Sequence, residues 1–106
     1  MRIRKVFVLA GMAIGMAMQP AYTAGDPVEG ERKAKTCLGC HGVEGYRNAY
    51  PSYHVPKLGG QHPQYIVSAL KDYASGGRRH ATMQIQAESL SEQDMQDIAA
   101  FFARSR

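Results

Sequence analysis

Cys37-Leu38-Gly39-Cys40-His41 follows the pattern C-x-x-C-H, which is typical of the covalent attachment of c-type haem. Two thiols at this spacing each add to one vinyl group of a porphyrin, and the histidine after the second thiol is then placed to bind the iron. We therefore predict one covalently bound haem c, with thioether bonds to Cys37 and Cys40 and with His41 as an axial iron ligand. His41 should donate its other ring N–H to a backbone carbonyl, and Pro56 is the candidate acceptor.

Three other interpretations of the two cysteines are weaker. A thioredoxin-like redox pair is expected to follow a strand within a βαβ pattern, and the sequence indicates neither. A zinc site would need a second pair of ligands at the usual spacing, which the sequence lacks. A disulfide between Cys37 and Cys40 would close a loop too short to add much stability.

The N-terminal segment resembles a secretory signal peptide. Basic residues at positions 2, 4 and 5 precede an uncharged run over 6–18, which is shorter than the roughly 20 residues that a membrane-spanning helix needs. Small residues follow near Ala24. We predict a signal peptide over residues 1–24, cleaved within one or two residues of that position, and a single domain over residues 25–106 in the periplasm. An uncleaved membrane anchor is the alternative.

The charge balance excludes one class of partner. The predicted signal peptide carries three of the 13 basic residues, and all 9 acidic residues lie in the domain. The net charge of the domain is therefore close to zero, which gives no sign of binding to nucleic acid. A domain of this size has a small core that usually needs an additional stabilising element, such as a disulfide or a bound cofactor. Both cysteines already belong to the C-x-x-C-H stretch, so no disulfide is left if haem takes them. A bound haem would be that stabilising element, a flat apolar group around which the chain packs.

Apolar spacing and capping residues predict three helices. The first runs from Pro27 to His41, the second from Pro63 to Ser75, and the third starts after Ser91. Residues 43–60 and 78–89 lack a sustained period and are predicted as long loops, with no convincing strand. The expected fold is therefore all-α, with three main helices and long loops wrapped around one covalently attached haem.

An iron that only carries electrons needs a sixth ligand, and the predicted domain has two methionines. Met95 lies on the apolar stripe of the third helix, which predicts a position in the core. Met83 lies in the second loop, where the chain can cross to the other face of the haem, so we predict Met83 as the sixth ligand. His80 and His54 are the alternative ligands.

Four segments of the chain together resemble class I cytochromes c, and among them one domain of the cytochrome c4 type. The first is Gly30, seven residues before Cys37, and the second is the stretch 37–42. The third is Pro56-Lys57-Leu58-Gly59-Gly60-Gln61-His62-Pro63-Gln64-Tyr65. The fourth is Met83, seven residues before Leu90-Ser91, together with the ending Asp97-Ile98-Ala99-Ala100-Phe101-Phe102. The resemblance covers almost all of the predicted domain.

The resemblance implies a small cytochrome c fold in a periplasmic electron-transfer protein. Carried over by position, Cys37 and Cys40 are the haem attachments, His41 is the proximal ligand and Met83 the distal one. The first and last helices are then expected to cross where Gly30 meets Phe101 or Phe102. Cytochromes c4 carry two such domains, whereas this chain has one C-x-x-C-H stretch.

We therefore predict a one-electron carrier without catalytic residues, which meets redox partner proteins in weak, transient complexes at an exposed haem edge. No membrane span is expected after signal cleavage. One alternative is the haem c subunit of a larger dehydrogenase, because small cytochromes of this kind serve as electron acceptors in flavin-containing sulfide dehydrogenases. A second alternative is a haem enzyme or sensor with an open iron site.

Overall fold

The computed structural model describes residues 24–105, so the predicted signal peptide, apart from its last residue, lies outside the described residues. The described part holds five helices and one short hairpin, which confirms the predicted all-α class. In chain order these elements are α1 Pro27–Lys33, α2 Lys35–His41, β1 Arg47–Ala49, β2 Ser52–His54, α3 Pro63–Ser75, α4 Ala81–Glu88 and α5 Glu92–Arg104. No helix within residues 24–105 is long and apolar enough to cross a membrane.

The core lies between α5 and the two elements that pack on it, α1 and α3. Phe102 and Ile98 are its largest fully buried side chains, and Met95 is buried beside them, as predicted. Burying one such side chain stabilises the fold by roughly 1.5–3 kcal/mol. The apolar stripe of α5 therefore faces the core along its length.

The crossing of α1 and α5 depends on Gly30. A Cβ atom at this position would overlap the carbonyl oxygen of Asp97 and would lie 2.9 Å from Cβ of Phe101. Only a glycine allows the two helices to come this close. The predicted glycine–aromatic crossing is confirmed, with Phe101 as the partner.

The predicted start and end of α3 and the predicted start of α5 are also confirmed. Pro63 is the first residue of α3, and Gly76 ends that helix with a left-handed backbone, φ 81°. Ser91 caps α5 in a capping box, in which its side chain accepts from the N–H of Asp94 and the Asp94 side chain accepts from the N–H of Ser91.

The predicted first helix is divided into two. Its backbone turns at Ala34, where ψ is 2°, and α2 then carries the chain to His41, with Gly42 after it. The N–H of Ala34 still donates to the carbonyl of Gly30, and that of Leu38 to the carbonyl of Ala34, at 2.8 and 3.0 Å. The hydrogen-bond ladder therefore continues through a change of direction that the apolar spacing did not indicate.

The first predicted loop contains a hairpin, so the expectation of no strand was wrong. β1 and β2 pair antiparallel, with Asn48 opposite Tyr53. The Asn48 side chain donates to the carbonyl of Pro51 at 2.8 Å across the turn. Strands of three residues are too short for an alternating pattern to be recognised in the sequence.

The second predicted loop contains helix α4, so the expected count of three helices was wrong as well. Met83 lies in the first turn of this helix rather than in a loop. The buried residue of this helix is Ala87, and Ile85 is 68% exposed. The helix therefore has no apolar stripe to reveal it. Its N-cap is His80, which is not among the residues usually found at that position.

Candidate functional site

The four predicted haem-binding residues line one cleft. Cys37, Cys40 and His41 come from α2, and Met83 comes from the first turn of α4. The cleft has a volume of about 480 Å³, within the roughly 300–1,000 Å³ of small-molecule and cofactor sites. An adjoining hollow of about 330 Å³ shares His41, His54 and Val55 with it and extends to the core residue Phe102. The fold thus brings the separate sequence signals to one place.

Both cysteines are free thiols on the same side of α2. A spacing of three residues places two helical side chains on one face. Cys37 is half-buried and Cys40 is exposed. Burial raises the pKa of the Cys37 thiol, whereas exchange-active cysteines have a lowered pKa. This environment disfavours a thiol–disulfide redox pair.

A zinc site is not supported by the described residues. Within 24–105, no group of three or more His, Cys, Asp or Glu side chains is arranged to hold a metal ion. Structural zinc sites normally need four such ligands. The two cysteines therefore lack the further donors that this interpretation requires.

His41 is held in a fixed orientation by the chain that follows the hairpin. Its Nδ1–H donates to the carbonyl oxygen of Pro56 at 2.7 Å, which confirms the predicted hydrogen bond. Because a carbonyl only accepts, this bond places the proton on Nδ1. In the neutral ring Nε2 then keeps a lone pair, the form in which an imidazole binds iron.

The two histidines considered as alternative iron ligands both lie at the cleft. His80 and His54 also line the cleft. The side chain of His80 is occupied as the cap of α4, since its Nδ1 accepts the N–H of Met83 at 3.2 Å. Met95 lies in the core, away from the cleft lining.

The cleft wall includes residues that the sequence did not single out as site residues. Tyr73, at an apolar position of α3, lines the cleft, as do Tyr65 and Arg78. The Arg78 guanidinium lies over the Tyr73 ring at 5.0 Å and donates to the Tyr65 hydroxyl at 3.4 Å. An apolar stripe in the sequence does not distinguish a residue facing a cofactor from one facing the core.

The donor chemistry of the cleft fits haem c. Two free thiols three residues apart would supply the attachment points, and the His41 imidazole would supply one axial donor. The thioether of Met83 lines the same cleft and would supply a second axial donor. Aromatic side chains complete a wall suited to a flat, apolar macrocycle.

Comparison with known proteins shows the family. The Cytochrome c family profile matches residues 28–105. The chain is 38% identical to cytochrome c4 of Pseudomonas aeruginosa over 81% of its own length and 41% of that protein. It is 42% identical to cytochrome c-554(548) of Halomonas halodenitrificans, covering 76% of this chain and 96% of that one. It is 31% identical to the cytochrome subunit of sulfide dehydrogenase of Chlorobaculum tepidum, over 83% and 76% of the two chains.

The fold agrees with these sequence matches. The chain superposes on the crystal structure of reduced recombinant cytochrome c4 from Pseudomonas stutzeri with a TM-score of 0.65 and 36% identity, over 78% of this chain and 47% of that one. The chain thus spans about half the length of the cytochromes c4 it matches. A family match over most of the described residues, with the same fold and the C-x-x-C-H stretch in the cleft, places this chain among the class I cytochromes c of the c4 type, in the cytochrome c family.

Proposed function

We propose that this protein is a periplasmic one-electron carrier with one haem c, attached through Cys37 and Cys40 and ligated by His41 and Met83. The observation that carries the proposal is that these four side chains, from two separate helices, line one cleft. When bound, haem c supplies a one-electron redox couple. The export signal proposed for residues 1–24 would deliver the chain to the periplasm.

The protein's own residues have distinct tasks in this proposal. Cys37 and Cys40 anchor the macrocycle to α2. The Pro56 carbonyl, through its hydrogen bond with His41, holds the imidazole plane and makes it a better donor. Met83 offers a thioether, which favours the reduced iron and raises the reduction potential.

The test is the stoichiometry and electron count of the mature holoprotein. We expect its mass to exceed that of the polypeptide by one haem, with the haem retained on a denaturing gel. A redox titration should follow a single one-electron Nernst curve. Loss of haem under denaturing conditions, or catalytic turnover of a small substrate at an open iron, would contradict the proposal.

A second candidate is a permanent electron-transfer subunit of a dehydrogenase. The similarity to a cytochrome subunit of sulfide dehydrogenase favours it. Ile85, two residues beyond Met83, is 68% exposed and would suit a lasting interface. Purification of the chain from its own periplasm decides between them, because a subunit stays with a partner of fixed stoichiometry, whereas a free carrier elutes alone.

A further inference from the structure

The N-terminus of α4 is capped by a histidine. The backbone of His80 is extended, with φ −165° and ψ 109°, and its Nδ1 accepts the N–H of Met83 at 3.2 Å. The first N–H groups of a helix have no partner within the helix, so a side-chain acceptor fixes where the first turn lies. In this protein the residue whose N–H is capped is itself the proposed iron ligand.

The capping imidazole is held from two sides. Its ring meets Tyr53 of β2 edge-on at a centroid distance of 4.6 Å and Tyr73 of α3 at 6.2 Å. Tyr53 also donates from its hydroxyl to Oγ1 of Thr82, in the first turn of α4, at 3.3 Å. The hairpin therefore contacts both the cap and the turn that follows it.

Few buried side chains hold this end of α4. The helix has eight residues, and its buried residue, Ala87, lies near the opposite end. Thr82 is exposed and Met83 is only half-buried. The first turn therefore has no fully buried side chain, although Met83 packs partly against the core. The His80 hydrogen bond is the side-chain contact made directly to the Met83 backbone, with the Tyr53–Thr82 hydrogen bond beside it.

We propose that His80, held by Tyr53, is a positioning residue for Met83, keeping the first turn of α4 where the thioether reaches the iron. The proposal rests on the proposed axial role of Met83. It assigns His80 a role in the cap, through Nδ1, and not in the coordination of iron. Asparagine, a strong N-cap residue, should replace it in this role, whereas alanine should not.

Competition by added imidazole measures this role. Imidazole binds the oxidised iron only in molecules whose sixth position is free, so its apparent affinity rises with the fraction of molecules in which Met83 has dissociated. Removing a cap that holds the ligand-bearing turn raises that fraction. The titration is followed on the holoprotein by the optical spectrum, and the reduction potential is recorded in parallel.

Three variants separate positioning from general stability. His80→Ala should bind imidazole about five-fold more tightly than the unaltered protein, from the loss of a typical N-cap. His80→Asn should stay within about two-fold of the unaltered protein, since it restores the cap. Ser91→Ala removes the equivalent cap of α5, which lies outside the cleft lining, and should leave imidazole affinity unchanged.

The outcomes are distinguishable. Equal tightening in His80→Ala and Ser91→Ala, no tightening in His80→Ala, or failure of His80→Asn to restore the affinity would overturn the positioning role. Met83→Ala is measured in the same series. If Met83→Ala keeps the native spectrum, the axial assignment itself is wrong; if it loses that spectrum while His80→Ala behaves as the unaltered protein, only the positioning inference fails.

Discussion

Lys33 and Asp97 form a largely buried ion pair between α1 and α5, with Nζ 2.6 Å from Oδ2. The Asp97 side chain is 4% exposed, and its other oxygen accepts the N–H of Asp26 at 2.8 Å and the amide of Gln93 at 2.9 Å. One carboxylate thus ties the start of the described chain, the end of α1 and the last helix together. The pair lies beside Gly30, where the same two helices touch.

Removing the carboxylate should be costly. Asp97→Ala removes the acceptor of the Asp26 N–H and one partner of the Lys33 ammonium at a buried position, and we expect it to lower the free energy of unfolding by about 2–4 kcal/mol. The measurement is urea unfolding of the holoprotein followed by circular dichroism. The matched control is Lys71→Met, which breaks the exposed Lys71–Glu92 pair and should cost less than about 1 kcal/mol. Equal losses in the two variants would show that the buried Lys33–Asp97 pair stabilises the fold no more than an exposed ion pair does.

The same carboxylate predicts a dependence of stability on pH. Burial alone would raise the pKa of Asp97, but hydrogen bonds from Lys33, the Asp26 N–H and Gln93 outweigh it and hold the pKa below its ordinary value. A carboxylate with a lowered folded-state pKa stabilises the fold above the unfolded pKa of about 3.9, and this stabilisation is lost as the pH falls through the lowered value.

Asp97→Asn should therefore reduce the loss of stability between pH 5 and acidic pH, because the amide does not titrate. The free energy of unfolding of the two proteins, measured at intervals across that window, gives the slope directly. A slope that is the same in both proteins would mean that other carboxylates dominate the acid response. Asp94, whose pKa is lowered chiefly by its hydrogen bond with Lys33, is the first of these to test.

Gly30→Ala should force α1 away from α5. The added methyl group would overlap the Asp97 carbonyl, and the backbone has to shift to accommodate it, at a cost of about 3 kcal/mol in the free energy of unfolding. Gly39→Ala is the matched control, because it lies in α2 with no atom within 4 Å of the new methyl. Alanine is the better helix former by up to about 1 kcal/mol, so Gly39→Ala should be neutral or stabilising. A neutral Gly30→Ala would refute the close crossing.

The double variant Cys37→Ala/Cys40→Ala tests the dependence of the fold on haem. Without attachment points the chain cannot hold haem covalently, and a domain this small is expected to be largely unfolded without it. Far-ultraviolet circular dichroism of the purified variant gives the helical content. A native-like helical spectrum in the absence of haem would show that the core between α1, α3 and α5 is sufficient by itself.

Much of the scaffold could be predicted because its signals are local. Pro63 and Gly76 mark the two ends of α3, and the Ser91 capping box marks the start of α5, each within a few residues. Helix α4 was missed because a histidine caps it and because its apolar residues form no stripe. The Lys33–Asp97 pair was missed because the partners are 64 positions apart, and nothing near either residue indicates the other.

The site divides in the same way. The C-x-x-C-H stretch is contiguous, so its three functional residues could be named directly. Met83 was named because the predicted loop around it could cross to the other face of the haem, although its setting in a helical turn was not foreseen. Tyr73, from α3, and Arg78, just beyond its end, line the cleft because of how the chain folds there, and the sequence carries no signal for that position.

The axial role of Met83 is the central claim, and the optical spectrum of oxidised Met83→Ala holoprotein tests it most directly. The unaltered protein should show the weak charge-transfer band of a sulfur–iron bond, and Met83→Ala should lose it while keeping its covalent haem. The reduction potential should fall in the same variant, since a thioether favours reduced iron. An unchanged spectrum and potential in Met83→Ala, with a loss of the native spectrum in His80→Ala or His54→Ala instead, would contradict the account.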